Sequence, residues 1–229
     1  MTSLQKWGKS VRTTIPVMAG YLVLGAGFGI LLRTRGYGLG WALAMSAFIY
    51  AGSMQYVAID LLTGGASLLT TAVTTLLVNA RHLFYGISML ERYRAAGKYA
   101  PYLIFSLTDE TYSLVAAREG LTGAECFRIS LLDQLYWVLG TALGSLAGAY
   151  LDFNTTGIDF SLTALFLTVF TEQWLETKDH APALIGLGVS IVCRLLFGAD
   201  SFLLPTMGGM LCCLLVLDAR RTKKGGESV

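Results

Sequence analysis

Charge is scarce in this chain: Asp, Glu, Lys and Arg make up 14% of its 229 residues, against roughly 25% in an average soluble domain. No stretch is polar enough to form a water-soluble domain of its own. Signatures of catalysis are missing too: there is no nucleophile with a partnered base, no paired-histidine zinc motif and no glycine loop built to cradle a phosphate, so an enzyme is not expected. The four cysteines, Cys126, Cys193, Cys212 and Cys213, have neither a CxxC nor a His/Cys spacing. That pattern argues against a disulfide framework and against a metal site, and no cofactor is expected. Nor is there a stripe of Lys and Arg with interleaved aromatics, which sets nucleic acid aside as a partner.

What fills the chain instead is apolar sequence. Hydrophobic residues account for 54% and glycines number 26, and runs of about 18 or more mostly apolar residues recur, each long enough to cross a hydrocarbon core of roughly 30 Å. The expectation is an all-α polytopic membrane protein with about seven or eight transmembrane helices in a single integral domain. Runs lie near 15–32, 41–62, 66–90, 101–117, 129–150, 160–175, 182–198 and 202–217. The first is too long for a signal peptide and lacks a small-residue cleavage site, so it is kept as a true span. Lys6, Lys9 and Arg12 at one end and the RRTKK tail at the other place both termini on the cytoplasmic side by the positive-inside rule. An even number of crossings follows, although the basic loop with Arg92, Arg94 and Lys98 is then external.

The chain also matches itself. Tyr21, Val23, Leu24, Gly25 and Gly29 recur as Tyr136, Val138, Leu139, Gly140 and Gly144; Phe48, Gln55 and Tyr56 as Phe166, Gln173 and Trp174; Arg81, Leu83 and Phe84 as Arg194, Leu196 and Phe197. Order and near-constant offset point to two related three-helix units, about 13–90 and 128–198, joined by a linker helix at about 101–117 and followed by a C-terminal helix at 202–217. Secondary transporters are often built from such repeats, with substrate near the midplane between them. If every run crosses, the repeats are parallel; one re-entrant segment would invert them. Glycines at four-residue spacing, Gly25 and Gly29 in one unit and Gly140, Gly144 and Gly148 in the other, read first as close helix packing.

Four ionisable residues stand inside apolar runs, where each costs several kcal/mol unless paired or wetted: Arg81 and His82 in the third run, Asp109 and Glu110 in the fourth. Arg81 either holds a substrate carboxylate in bidentate fashion or serves as a counter-ion to one of the acids; its echo in Arg194 favours the second. His82 titrates near neutrality and has no echo, which suits a proton relay, with a hydrogen-bonded core histidine as the alternative. Asp109 and Glu110 are adjacent and point about 100° apart on a helix, so one pairs while the other titrates. Thr108 can cap or hydrogen-bond either acid. Tyr85 shares a helix face with Arg81 and His82. In the second run, Tyr50, Gly52, Ser53 and Gln55 crowd polar atoms beside glycine. Local unwinding there would expose backbone groups able to bind a zwitterion, unless Ser53 and Gln55 serve only as interhelical hydrogen bonds.

The motifs FIYAGSMQY, RHLFYG and LTDE, in that order, together with the apolar pattern from about 12 to 215, resemble the AzlC family, the large subunits of branched-chain amino acid exporters. The residues matching its motifs are Tyr50, Ala51, Gly52 and Gln55, then Arg81, His82, Tyr85 and Gly86, then Thr108, Asp109 and Glu110. The resemblance implies export of valine, leucine, isoleucine and related apolar amino acids by proton exchange, in the bacterial cytoplasmic (inner) membrane, with a small AzlD-like membrane subunit as partner. Tyr50, Gly52, Ser53, Gln55, Arg81 and Tyr85 are the expected substrate ligands, and His82, Asp109 and Glu110 the expected proton-coupling group. A non-coupled channel or structural component, or a sugar-type facilitator of three-plus-one-plus-three helices, remain the alternatives.

Overall fold

The computed structural model describes residues 2–118, 120–150 and 179–202, with scattered residues within 160–175 and 205–217. Every regular element among them is a helix. Two compact units are defined, Met1–Thr163 and Ala164–Val229, and each is described by itself.

Helix α1 (Ser3–Thr34) opens with a capping box in which the Thr2 side chain receives the Gln5 amide and the Gln5 side chain returns to Thr2, satisfying donors that a helix start leaves free. It runs 32 residues. Then come six short helices in three tandem pairs: α2 (Leu39–Phe48) and α3 (Gly52–Thr63), α4 (Leu68–Val78) and α5 (Arg81–Ala95), and α6 (Ala100–Phe105) and α7 (Asp109–Ala116). A 3-10 turn, Gly97–Tyr99, leads into α6. Helix α8 (Gly123–Tyr150) closes the first unit at 28 residues. In the second unit, α9 (Ala181–Ser201) is interrupted at Gly198, whose φ of 75° and ψ of −177° are open to glycine.

Two of the described helices are, by themselves, long and apolar enough to cross a membrane: Leu4–Thr34 of α1 and Ala181–Gly198 of α9. The expected runs at 41–62, 66–90 and 101–117 are not single helices. Each is broken near its middle, at residues 49–51, 79–80 and 106–108, so no piece of α2 to α7 reaches the roughly 20 residues that a crossing needs. Helix α8 fills the 129–150 run, but its Asp133 and Gln134 lower its hydropathy. The runs at 160–175 and 202–217 are described only in part, and Phe166, Gln173 and the RRTKK tail lie outside the described residues.

The first unit is organised on α1 against α8. Their partners climb together: Lys9 with Glu125, Ser10 with Arg128, Thr14 with Tyr136, Gly25 with Thr141, Arg33 with Gly148. The two helices therefore run parallel, and they are the helices that open the two expected repeat units. Their glycines interlock. A Cβ on Gly25 would come 2.8 Å from the Trp137 carbonyl oxygen, one on Gly140 would come 2.8 Å from those of Tyr21 and Leu22, and Gly29 and Gly144 are tighter still against the backbones of Thr141 and Ala26. At the cytoplasm-expected end, the Thr122 backbone N–H and hydroxyl both donate to Glu125, at 3.0 and 2.8 Å, and hold its carboxyl below the usual carboxylate range.

Since only backbone stands in the way, Gly144→Ala and Gly29→Ala are expected to cost roughly 1–3 kcal/mol and lower the melting temperature in detergent by several degrees. Gly20→Ala, with nothing within 4 Å, leaves it unchanged. A Gly144→Ala protein as stable as the native one would refute the close contact.

Candidate functional site

The first turns of α3, α5 and α7 meet. Arg81, the first residue of α5, donates from Nη2 to Ser53 Oγ on α3 at 2.7 Å and makes an ion pair through Nη1 with Asp109, the first residue of α7. About a third of each ionic side chain is exposed, 31% for Arg81 and 33% for Asp109, whereas Ser53, Thr108 and Tyr50 beside them are buried. The ions are thus accessible within surroundings that otherwise exclude water. Tyr85, four residues along α5, stacks on Tyr112 of α7 with centroids 4.6 Å apart, and its hydroxyl lies near Asp109.

Each break has a local cause. In the first, Tyr50 takes a φ of +42°, the one positive φ of a non-glycine residue among those described, a strained state for an aromatic side chain that costs about 1–3 kcal/mol. Its ring is buried and tilted against Phe105 at 6.5 Å. Gly52, next in line, has the Trp137 ring 3.0 Å from where a Cβ would be, so a side chain there would push α3 off α8. In the third break, Thr108 turns its hydroxyl to the Thr111 amide and caps α7, with Asp109 and Glu110 in the first turn, where the helix dipole favours acids. Helices α3 and α5 have no side-chain cap. At α3 this leaves the first amides, beside the contact of Ser53 with Arg81, without a side chain to accept them, the arrangement that binds carboxylates elsewhere; at α5 the His82 and Leu83 amides already donate to the Asn79 and Ala80 carbonyls at 2.9 and 3.1 Å.

Behind the ion pair is a hydroxyl network. The Tyr21 hydroxyl of α1 lies 2.7 Å from Thr108 Oγ1 and 2.7 Å from Glu110 Oε2. Thr108 donates to Thr111 at 3.1 Å, and Thr111 donates to Asp133 Oδ2 of α8 at 2.9 Å. Asp133 is fully buried and its Oδ1 has no hydrogen-bond partner. Sequence reasoning missed this residue, although an acid in the apolar run LLDQLYWVLG is the same signal that identified Asp109 and Glu110.

Of the expected site residues, Ser53, Arg81, Tyr85, Asp109 and Glu110 come together, with Tyr50 and Gly52 forming the adjacent break. Gln55 lies apart from them, and His82 meets the group only through Tyr85, edge-on with ring centroids 6.0 Å apart. Gln55 is fully buried with both ends engaged, accepting from Trp137 Nε1 at 2.9 Å and donating to Ser46 Oγ at 3.1 Å; it ties α3 to α8 and α2. His82 lies 3.1 Å through Nδ1 from the Asn79 carbonyl and lines a cavity of about 440 Å³ with Leu76, Leu83, Leu90, Ile104 and Leu107, on the flank of α5 turned toward α4 and α6. Arg194, the expected repeat counterpart of Arg81, is not at a helix start: it sits within α9 with its guanidinium 5.6 Å from the centre of the Phe202 ring. Among the described residues no cluster of His, Cys, Asp and Glu could hold a metal ion.

Broken apolar helices gathered around an accessible ion pair define a helical membrane protein with a polar site set inside its apolar body. Comparison with known proteins narrows the class. The chain belongs to the AzlC family, whose AzlC protein profile matches residues 16–151. It is 44% identical over 208 residues, 89% of this chain and 82% of the relative, to the branched-chain amino acid transport protein AzlC of Bacillus subtilis. An uncharacterized membrane protein of Helicobacter pylori is 43% identical, over 89% of this chain and 91% of its own length, and the inner membrane protein YgaZ of Escherichia coli 26%, over 90% and 87%. No solved structure matches the chain significantly.

If Arg81 and Asp109 interact as a pair, a double-mutant cycle of Arg81→Ala and Asp109→Ala, read by thermal stability in detergent, gives a coupling of about 1 kcal/mol. Strictly additive losses would mean that the pair does not hold α5 to α7.

Proposed function

We propose that the chain is a secondary transporter that exports branched-chain and related apolar amino acids in exchange for protons. It acts as the large subunit of a two-component permease in the bacterial cytoplasmic membrane, with a small AzlD-like membrane subunit encoded separately. Each tandem pair of short helices is one broken crossing, which with α1, α8, α9 and the remaining apolar runs gives seven or eight spans.

The observation that carries this reading is the Arg81–Asp109 pair at the uncapped start of α3. A zwitterion satisfies every group there. Its carboxylate takes the place of Asp109 on the Arg81 guanidinium and accepts from the leading N–H groups of α3; its ammonium pairs with the released Asp109. Ser53 and Tyr85 flank the two charges, Tyr50 and Gly52 keep the break open, and Gln55 holds α3 in position from behind. Asp109 and Glu110 handle the proton at this site, and His82 is reached from the cavity on the other flank of α5. The likeness to the Bacillus subtilis relative, a branched-chain amino acid transport protein, supports the substrate class.

Efflux of labelled valine or leucine from cells carrying this chain, alone and with its small partner, tests the proposal. Efflux is expected with the partner present, competed by isoleucine and not by a sugar. Arg81→Lys, which keeps the charge and loses the bidentate fork, lowers it at least about tenfold, a rise of about 1.4 kcal/mol in the transport barrier. Competition by a sugar and not by isoleucine would overturn the reading.

A further inference from the structure

The hydroxyl network behind the ion pair links two carboxylates, Glu110 on α7 and Asp133 on α8, through Tyr21, Thr108 and Thr111 in an unbroken series of four oxygen–oxygen contacts between 2.7 and 3.1 Å. Hydrogen counting restricts what this series can be. Ionised carboxylates only accept, and each hydroxyl owns one proton. With both acids ionised there are three hydrogens for four contacts, so one pair of oxygens would sit at hydrogen-bonding distance with nothing between them. With both protonated there are five hydrogens for the same four. One proton on the pair gives every contact one hydrogen.

We propose that Glu110 and Asp133 share a single proton, and that the three hydroxyls form a relay that passes it between the accessible site and the interior of α8. In one state Glu110 carries the proton and donates to Tyr21, Tyr21 to Thr108, Thr108 to Thr111, and Thr111 to the Asp133 carboxylate. In the transfer each hydrogen moves one oxygen along: four O–H bonds break and four form. The outcome is a neutral Asp133, an ionised Glu110 and a series of donors that all point the other way. No other reactant is consumed.

The surroundings differ at the two ends. Glu110 is faced by Asp109 on its own helix, by Arg81 and Tyr85 of α5, and by Tyr21 of α1 and Tyr50 of the first break. A change of partner on Arg81 or Asp109 is therefore felt there directly. Asp133 is faced by the neutral phenols of Tyr50 and Tyr102 and by Glu110, and among the described residues no cation pairs with it. Substrate arriving at the ion pair thus alters the field at one end of the relay and not at the other, which gives exchange of substrate for proton a physical route. This deepens the proposed proton exchange and rests on it. Asp133 is a proton-carrying residue in this scheme, one that does not touch the substrate.

Infrared difference spectroscopy of the purified protein in lipid, stepped in pH, tests the shared proton without needing transport. One protonated-carboxyl C=O band is expected, shifted or lost in both Asp133→Asn and Glu110→Gln. In Thr111→Val, which keeps the side-chain shape and removes the link, Asp133→Asn affects the titration of Glu110 less than it does in the native background. In vesicles, Tyr21→Phe and Thr111→Val depress gradient-driven valine transport at least about tenfold more than valine exchange at zero gradient. An Asp133→Asn protein whose carboxyl band and gradient-driven transport match the native ones overturns the proposal. If Asp133→Asn does not accumulate in the membrane, an unchanged band and unchanged transport in Thr111→Val overturn it equally. Bands as expected in a protein that moves no amino acid would leave the relay standing and sink the transport reading instead.

Discussion

The close fit of α1 against α8 is the constraint on which the site depends. Glycine removes the side chains that normally hold two helices 8–10 Å apart, and at Gly25, Gly29, Gly140 and Gly144 the facing backbones come into direct contact. That contact sets Tyr21 of α1 beside Trp137 of α8, with ring centroids 5.4 Å apart and nearly perpendicular. Trp137 in turn fixes Gln55 and so the start of α3, while the Tyr21 hydroxyl reaches the start of α7. Two of the three broken helices are therefore positioned from one seam. In an apolar solvent, where burying leucine against leucine gains little over lipid, such packing and the hydrogen bonds it enables supply much of what holds helices together.

On that frame the chain places polar backbone where lipid cannot see it. A break in a membrane helix leaves N–H and C=O groups without partners, tolerable only where protein or a water-filled cavity covers them. The three breaks satisfy this in different ways. Thr108 caps α7, the Gln55–Ser46–Thr141 series braces α2, α3 and α8, the first amides of α5 turn back to the Asn79 and Ala80 carbonyls, and the uncapped start of α3 lies beside a guanidinium and a carboxylate. Strain at Tyr50 has the same origin, since the buried phenol sits where the chain must reverse its helical path without a glycine.

The all-helical nature of the chain, the family and the glycine seam were legible in sequence, because each rests on residue type at a fixed spacing. The meeting of Arg81 with Asp109 was legible for a different reason: opposite charges in apolar runs must find each other or water. The breaks at 79–80 and 106–108 were not legible. Neither contains proline or glycine, and the apolar pattern continues across them, so the hydropathy that marks a span hides the interruption; the local signals were Asn79 and Thr108, whose side chains compete with the helix for backbone partners. Gln55 was expected among the substrate ligands and His82 in the proton-coupling group; the hydrogen bonds they make, to Trp137, Ser46 and the Asn79 carbonyl, depend on the folded chain and have no mark in the motifs. Asp133 escaped attention as a single acid between Leu132 and Gln134, though the rule that flagged the other acids applied to it equally.

The picture that joins these parts is a zwitterion exchanged for an internal ion pair at the start of broken helices, with a proton held behind it. A structure determined with leucine bound tests it most directly. The account predicts the leucine carboxylate on Arg81 and the first N–H groups of α3, the ammonium on Asp109, and the Arg81–Asp109 pair opened. Leucine bound at another place, with that pair intact, would contradict it.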